Sequence, residues 1–360
     1  MKYLFFVQNN GRGHLAQALT LKEKLTSRGH EVLGAVVGSK NGSALPEFFK
    51  EQFVQPIYTV ASPYFVTDKK NRGIKIMASI ALSLSRLPKY RSSLKTIKNI
   101  IKDLKPDILI NCYEPIAGTF YRLNKVSQPM YCLSHQYFIS HPTFKYPRIS
   151  WLARTSFKIY NSLTAPDSAT KIALSFTKEN DLPNNNLFVC PPLIRSAIKN
   201  SRPRNQDFIL TYILNSGYGA DIEAWCRNNP SYHVEAFRQQ TEETKSVLNN
   251  LVFHALSGEK FIDRLINCGA YASTGGFESI AEASYLKKNI LMVPTAGHFE
   301  QKCNVSDAQR AELVNVSETF DLSLLASRQT KTHSDGQLAF KKWVDNYEDK
   351  IINILEQKTK

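Results

Sequence analysis

Apolar and amphipathic segments alternate along the first half of the chain. Residues 4–8 form a short apolar run, residues 14–28 carry leucines at helical spacing, and residues 31–37 are rich in valine. Short apolar runs are typical of buried strands, whereas apolar residues three and four positions apart indicate a helix. The pattern predicts strands at 4–8, 31–37, 56–60, 107–111 and 129–134, and helices at 14–28 and 97–104.

The same alternation restarts after a polar, basic segment at 196–206. It predicts further strands at 208–214, 232–237, 270–273 and 289–293, and helices at 220–227, 261–267, 277–286 and 339–358. Strands that alternate with helices of this length are typical of parallel sheets joined by crossover helices. We therefore expect an α/β protein with two similar units.

A length of 360 residues also favours two domains. We expect an N-terminal domain at 1–195, a linker at 196–206, a second domain at 207–335 and a C-terminal helix within 336–360. Packing of that helix back onto the N-terminal domain is one arrangement open to it. Ligands of open parallel sheets bind at the carboxyl ends of the strands, so the cleft between the domains is the expected site.

Charge is distributed unevenly between the two halves. Residues 1–200 hold 28 Lys and Arg against 11 Asp and Glu, whereas the whole chain carries a net charge of +15. The excess therefore lies in the first half and favours an anionic partner there. The six cysteines are scattered, which predicts reduced, buried side chains. Apolar runs are too short for a transmembrane helix, and the first residues lack a signal-peptide core, so we expect a cytoplasmic protein.

A first glycine turn follows the first predicted strand. Gly11, Arg12 and Gly13 separate that strand from the helix at 14–28, and such a turn presents backbone amides to an anion. The sequence also fits the dinucleotide pattern GxGxxA, but the second strand ends without the acidic residue that would bind a ribose. A phosphate or acceptor loop is the favoured interpretation.

His14 is the candidate for chemistry, because it lies at the positive end of the helix dipole. That position disfavours the imidazolium form and leaves a neutral base. Glu114 follows the strand at 107–111 and is expected to accept a hydrogen bond from His14. His135 and Gln136 follow the next strand and are expected on the acceptor side. Structural roles remain open: His14 capping the loop, and Glu114 a solvated loop carboxylate.

A second glycine turn lies between the strand at 270–273 and the helix at 277–286. Its residues are Ser273, Thr274, Gly275, Gly276 and Phe277, and the two glycines allow a pyrophosphate to approach the backbone. Glu282, one turn inside the helix, is placed to bind the hydroxyls of a ribose. Glu300 and Gln301 follow the next strand, where polar side chains suit sugar hydroxyls.

These two segments carry a family resemblance. The run TGGFESIAEASYLKKNILMVP with FEQKCN, and the run NNGRGHLAQALTLKEKLTSRGHEV, resemble GT-B inverting glycosyltransferases of the family 28 and family 1 group. That group includes the lipid-linked muropeptide N-acetylglucosaminyltransferase and the diacylglycerol galactosyltransferases. The resemblance implies two Rossmann-like domains facing each other across a cleft. Arg12 among the first glycines and the sequence Lys287-Lys288-Asn289 depart from the family pattern.

Carried over by position, the resemblance implies that Gly275 and Gly276 face the donor phosphates and Glu282 the ribose. Glu300 and Gln301 would face the sugar and His14 the reacting hydroxyl. Retaining members of the fold carry two glutamates eight positions apart, whereas Glu278 and Glu282 are four apart, which favours inversion. No Asp-x-Asp motif occurs, so we predict no metal and no cofactor beyond the nucleotide-sugar substrate, with Arg12 or Arg195 beside the leaving diphosphate.

The segment from Lys69 to Lys105 holds 11 Lys and Arg against Asp103 alone. Its cations are consistent with a solvated helix face, or with peripheral binding to anionic lipid on the inner face of the membrane. Nucleic acid is not favoured, because the segment lacks stacking aromatics.

The sequence therefore predicts a transferase that moves a sugar from a nucleotide donor, with UDP implied by the resemblance, to a lipid-linked or cell-envelope saccharide. A nucleotide-sugar 2-epimerase of the same architecture and a non-catalytic sugar-nucleotide-binding subunit are the alternatives.

Overall fold

The computed structural model describes residues 1–9, 11–40, 45–64, 66, 75–148, 150–213, 218–238, 243–326 and 334–357. Two seven-stranded sheets, each covered by helices, form two lobes. The predicted α/β class with two parallel sheets is thereby confirmed.

The N-terminal lobe is built on a parallel sheet in the order β3-β2-β1-β4-β5-β6-β7. The central strands are buried on both faces: all five residues of β4 and all five of β5 are buried. This explains why they appear in the sequence as continuous apolar runs rather than as alternating patterns. The strands are β1 (Lys2–Gln8), β2 (Glu31–Ser39), β3 (Ile57–Ala61), β4 (Ile108–Cys112), β5 (Met130–Ser134), β6 (Thr170–Leu174) and β7 (Leu187–Cys190).

Helices connect these strands and cover the sheet. Gly29, with φ +78°, follows α1 and allows the chain to turn directly into β2. Short 3₁₀ segments follow β5 at His135–Ser140 and precede β7 at Pro183–Asn185. The α-helices are α1 (Gly13–Ser27), α2 (Glu47–Gln52), α3 (Ile76–Ser85), α4 (Leu87–Leu104), α5 (Pro115–Leu123), α6 (Trp151–Thr164) and α7 (Ser196–Lys199), the last in the segment between the lobes.

The C-terminal lobe repeats the plan with the strand order β10-β11-β9-β8-β12-β13-β14. Its pairs are parallel except for β10 with β11. The strands are β8 (Gln206–Ile213), β9 (Val234–Arg238), β10 (Lys245–Leu248), β11 (Leu251–His254), β12 (Cys268–Ser273), β13 (Asn289–Met292) and β14 (Asn315–Val316). The helices are α8 (Gly219–Asn228), α9 (Gly258–Asn267), α10 (Phe277–Tyr285), α11 (Phe299–Arg310), α12 (Ser323–Ala326), α13 (Asp335–Asn346) and α14 (Lys350–Gln357).

The single helix expected at 339–358 is two helices, because the chain turns between α13 and α14; Lys358 lies outside the described residues. Helix α13 bridges the lobes: the indole of Trp343 donates to the carbonyl of Ser175 in the first lobe, and the hydroxyl of Tyr285 in the second donates to Asp345. Helix α14 lies on the first lobe, where Lys350 Nζ donates to Asp181. The chain thus crosses between the lobes twice.

The largest apolar core cluster runs from one lobe into the other. Phe157 of α6 packs edge to face on Phe299 of α11, with ring centroids 4.5 Å apart, and Phe176 of the first lobe packs on Phe277 of the second at 4.6 Å. Among the described residues, no helix is long and apolar enough to cross a membrane.

Candidate active site

The two glycine turns face one cleft between the lobes. Gly13, from the first turn, and Gly276, from the second, both line a cavity of about 140 Å³. The approach is close: a Cβ atom added to Gly13 would lie 3.5 Å from Cγ of Glu278 on α10. The lining comprises Arg12, Gly13, Ala16, Phe48, Arg195, Tyr212, Ser257, Gly258, Phe261, Ser273, Thr274, Gly276, Phe277, Glu278, Ser279 and Gln301.

The second turn has the geometry that an anion site requires. Strand β12 ends at Ser273, Gly275 adopts φ +95°, and Gly276 in an extended conformation caps α10. The first amides of α10 therefore point toward the cleft, with the positive end of the helix dipole behind them. Asn304 Nδ2 holds the turn by donating to the carbonyl of Gly275 at 2.8 Å.

The first glycine turn brings the N-terminus of α1 and the guanidinium of Arg12 to the cleft. Gly11, with φ +98°, reverses the chain after β1. Arg12 lines the cleft, and its guanidinium lies 5.2 Å from the ring centroid of Phe48. Arg195, on the segment between the lobes, is a second cation in the lining. The cleft therefore combines two guanidinium groups with the amide end of a helix.

Glu282 is placed differently from the sequence expectation. It is buried, does not line the cleft cavity, and accepts hydrogen bonds at both carboxylate oxygens from Arg195. These two bonds take up two of the roughly four acceptor positions of the carboxylate. Its direct structural effect is to hold the Arg195 guanidinium beside the cleft.

His14 is buried in the first turn of α1. Its ring stacks on Tyr113, with centroids 5.2 Å apart, and Nδ1 lies 3.3 Å from Oε1 of Gln17. Burial lowers the pKa of His14 to about 4, partly opposed by the bond to Gln17. The imidazole is therefore neutral near pH 7, with burial rather than the helix dipole as the main cause.

Glu114 does not contact His14 in the way the sequence suggested. It caps α5: Oε1 accepts from the Ile116 amide at 3.0 Å and from the Ser62 hydroxyl at 2.6 Å. Burial raises the pKa of Glu114 to about 7. The expected His14–Glu114 hydrogen bond is corrected to a His14–Gln17 bond, since Gln17 lies one turn along the same helix.

Sequence reasoning missed Gln17 and gave Glu278 no role in the cleft. Gln17 Nε2 donates to Glu278 Oε1, which joins α1 of one lobe to α10 of the other. Burial is the largest influence on Glu278 and raises its pKa to about 8. His14 and Gln17 are three residues apart and therefore share one helix face. This spacing is the sequence feature that could have identified Gln17 as the partner of His14.

His135 and Gln136 lie at the lobe interface rather than in the cleft lining. The His135 ring stacks on Phe277, with centroids 4.1 Å apart, and Nδ1 lies 2.7 Å from the carbonyl of Leu174. Gln136 hydrogen-bonds Glu300, and burial raises the pKa of that carboxyl to about 7. His135 therefore packs against Phe277, the first residue of α10, and supports the start of that helix.

A second cavity, of about 260 Å³, opens between α3, α6 and the start of α11. Glu300 and His298 provide polar groups at one side, and most of the remaining wall is apolar. Tyr160 lines this cavity, and its ring centroid lies 5.7 Å from that of Tyr113. Tyr113 in turn stacks on His14, so packed aromatic rings lie between the cavity and the imidazole. The remaining wall comprises Pro63, Tyr64, Ser79, Ile80, Ser83, Leu84, Ala153, Ser156, Phe157, Ile159, Leu163, Gly297 and Phe299.

Aromatic residues of the cleft were also missed. Phe261 packs on Tyr212 with ring centroids 4.9 Å apart, and Phe48 enters from the other lobe. Tyr212 lies near the carboxyl end of β8, so the strand-end rule applied to that strand would have found it. Across the described part of the chain, no cluster of three or more His, Cys, Asp or Glu side chains has an arrangement that would hold a metal ion.

Solved structures similar to this chain share its architecture. The glycotransferase of kitacinnamycin matches with a TM-score of 0.67 at 13% identity, over 99% of this chain and 98% of that chain. Arabidopsis thaliana UGT89C1 complexed with UDP matches at 0.58 and 15% identity, over 97% and 94%. MurG of Acinetobacter baumannii matches at 0.54 and 11% identity, over 99% of both chains. At these identities the likeness concerns the fold, and it confirms the GT-B architecture.

A comparison with curated proteins finds no match. The profile of glycosyl transferase family 1, in contrast, matches residues 1–329, which include both glycine turns and both sheets. Taken with the cleft geometry, this match establishes that the chain is a glycosyltransferase and belongs to glycosyl transferase family 1.

Proposed function

We propose that the protein transfers a sugar from a UDP-sugar to a hydroxyl group of an acceptor with an apolar part, with inversion at the anomeric carbon. One observation carries the proposal: glycine turns from two lobes line the same cleft, with Arg12 and Arg195 in its wall. A diphosphate placed against the first amides of α10 would have two guanidinium groups within the same cavity.

UDP is favoured as the nucleotide because a structure of the same fold is complexed with it. Phe48, Tyr212 and Phe261 provide aromatic surface in the cleft on which a nucleobase can pack. In this proposal Ser273, Thr274 and the amides of α10 bind the phosphates, and Gln301 lies beside the sugar. The positive charge of Arg12 and of the helix end stabilises the leaving diphosphate without a metal ion, and Arg195, whose charge is balanced by Glu282, can offer its remaining N–H groups.

His14 acts as the general base. The acceptor hydroxyl gives its proton to Nε2, its oxygen forms a bond to the anomeric carbon, and the bond from that carbon to the phosphate oxygen breaks. The leaving diphosphate takes the electron pair. A neutral imidazole suits this step, because burial keeps His14 unprotonated at neutral pH.

The apolar cavity beside Glu300 favours an acceptor with a hydrocarbon or aromatic portion. Helix α3 extends this apolar surface outward: Met77, Ile80 and Leu84 are exposed, as is Leu87 at the start of α4. Exposed cations follow on α4, at Lys89, Arg91, Lys95, Lys98 and Lys102. Lys69, Lys70 and Arg72 lie outside the described residues. An apolar patch flanked by cations is suited to the surface of an anionic membrane, so we extend the proposal to a lipid-linked acceptor.

The test is a transfer assay with UDP-glucose, UDP-galactose and UDP-N-acetylglucosamine, each with diacylglycerol in detergent micelles and with a bacterial lipid extract. Release of UDP that depends on the acceptor, with a product of inverted anomeric configuration by NMR, is expected. A new sugar nucleotide formed without acceptor would instead establish an epimerase. Binding of UDP by calorimetry without turnover on any acceptor would establish a non-catalytic subunit.

A further inference from the structure

A buried chain of three side chains joins the candidate base to the opposite lobe. His14 Nδ1 lies 3.3 Å from Gln17 Oε1, and Gln17 Nε2 donates to Glu278 Oε1. The three side chains are nearly inaccessible, at 7%, 2% and 9% exposure. Water therefore does not compete effectively for these bonds, and their directions depend on the groups themselves.

The direction of the chain follows from what each group can donate. An ionised carboxylate only accepts hydrogen bonds, so Glu278 orients the NH₂ group of Gln17 toward itself. The carbonyl oxygen of Gln17 then faces His14 and can only accept, which requires the proton of a neutral imidazole to be on Nδ1. The lone pair is consequently on Nε2. This is the tautomer that a general base acting through Nε2 needs.

We propose that Gln17 and Glu278 are positioning residues that fix the working tautomer of His14, and that Glu278 does so from the donor-binding lobe. The proposal rests on the proposed function, in which His14 is the base. Helices α1 and α10 belong to different lobes, so the chain of bonds exists only while the lobes are closed on each other. The base is then set correctly only beside a formed donor cleft.

The same arrangement assists proton transfer. When Nε2 receives the proton of the acceptor hydroxyl, the imidazolium charge is shared with Nδ1–H, which donates to the carbonyl of Gln17. A carboxylate at the far end polarises that amide and stabilises the charge. Glu278 is itself faced by Glu282 from its own helix, by Arg195 from the interlobe segment and by Gln17 from α1. Its raised pKa means that the chain assembles fully at mildly alkaline pH.

The tautomer is measurable without any ligand. Histidine-selective ¹⁵N labelling and long-range ¹H–¹⁵N spectra distinguish Nδ1–H from Nε2–H imidazoles, and a His14→Ala variant identifies the signal. At pH 9 we expect the wild-type His14 to be the Nδ1–H form. Gln17→Leu should convert it to the Nε2–H form, whereas Gln337→Leu, which removes another buried glutamine, should leave it unchanged.

A reciprocal exchange provides the sharper test. Gln17→Glu alone places two carboxyl groups in contact, and Glu278→Gln alone removes the acceptor-only group. The double variant Gln17→Glu/Glu278→Gln restores one carboxylate and one amide with the same atoms in reverse order. It should again hold the proton of His14 on Nδ1. In a transfer assay it should recover at least 10-fold in kcat over the Glu278→Gln single variant, with the donor KM within about 2-fold.

An unchanged Nδ1–H signal in Gln17→Leu would overturn the proposal, as would a double variant no better than Glu278→Gln. If Gln17→Leu fails to fold, the Gln17→Glu/Glu278→Gln exchange, which nearly preserves side-chain shape, still tests the proposal. Failure of the proposed function looks different: His14→Ala would keep full turnover, whatever tautomer the spectra report.

Discussion

Arg195 and Glu282 form a two-pronged ion pair in which the guanidinium donates to both carboxylate oxygens. Arg195 precedes α7 in the segment between the lobes, and Glu282 lies in α10, so the pair ties that segment to α10. Arg195 also lines the cleft. The pair therefore links the stability of the lobe junction to the charge of the candidate donor site.

Removing one partner of this pair should be costly. In Arg195→Met, the carboxylate of Glu282 stays buried without its cation, and we expect a loss of about 3–5 kcal/mol in the free energy of unfolding. Urea denaturation measures it. Arg227→Met is the matched control, because Arg227 pairs with Glu223 at the surface and its loss should cost less than about 1 kcal/mol. Equal effects in the two variants would contradict the assignment.

The two glycines of the second turn should respond differently to alanine. Gly275 has φ +95° and its added Cβ would lie 3.3 Å from Gln301 Cβ, so Gly275→Ala should destabilise the fold by about 1–3 kcal/mol. Gly276 has an ordinary φ and its added Cβ meets only Ser279 Oγ at 3.7 Å. Gly276→Ala should keep its stability but weaken UDP binding, since the methyl group enters the cleft. Thermal unfolding and calorimetry separate the two, and identical behaviour would count against this geometry.

His14→Ala should separate binding from chemistry. We expect UDP affinity to stay within about 3-fold, because His14 does not line the cleft cavity, while kcat falls by about 10²–10⁴-fold through loss of the base. His233→Ala, at an accessible histidine of the other lobe, serves as the control and should keep full activity. Undiminished turnover in His14→Ala would remove it from the mechanism.

Glu114 should make stability depend on pH. Burial raises its pKa in the folded state to about 7 from 4.5, so its contribution is complete below pH 4.5 and is lost as the pH rises through about 7. Glu114→Gln cannot ionise and should unfold at a higher temperature than the wild type at pH 8.5. The difference in unfolding temperature between Glu114→Gln and the wild type should shrink or change sign at pH 5. The exposed Glu51→Gln variant should follow the wild type at both pH values, and a Glu114→Gln curve parallel to the wild type would refute the prediction.

The apolar patch on α3 and α4 should mediate membrane binding. A Met77→Ser/Leu87→Ser variant should sediment less with vesicles that contain 30 mol% phosphatidylserine, because it removes exposed apolar surface between cations. Leu123→Ser removes a leucine of α5 that is as exposed as Met77, and this variant should bind as the wild type does. Raised salt should weaken wild-type binding. Retention of full binding by the double variant would indicate that the patch does not contact lipid.

Much of the architecture was predictable because parallel strands buried on both faces are encoded as local apolar runs. The strands at β1, β4 and β12 and the helices α1 and α10 were found within a few residues of their ends. The elements that were missed include β6 and α6. Strand β6 (TKIAL) carries a lysine, and α6 mixes charged and apolar residues, so neither stands out in composition.

The candidate site was predictable only where the chemistry follows a strand end directly. The turns at Gly13 and Gly276 were located in this way, and the structure brings them to one cleft. Pairings across the lobes were not predictable, because they depend on relative orientation. A shared strand edge predicts that Glu114 pairs with His14, whereas the partner of His14 in the structure is Gln17, which in turn bonds to Glu278.

The double crossing of the chain between the lobes has a mechanical consequence. A single connection would allow one lobe to rotate about any axis relative to the other. The segment at 196–206 and helix α13 both connect the lobes at the junction. The motion that these two connections restrict least is a hinge rotation about the line that joins them. Rotation about that line would widen the cleft where Phe48 of the first lobe approaches Gly258 of the second.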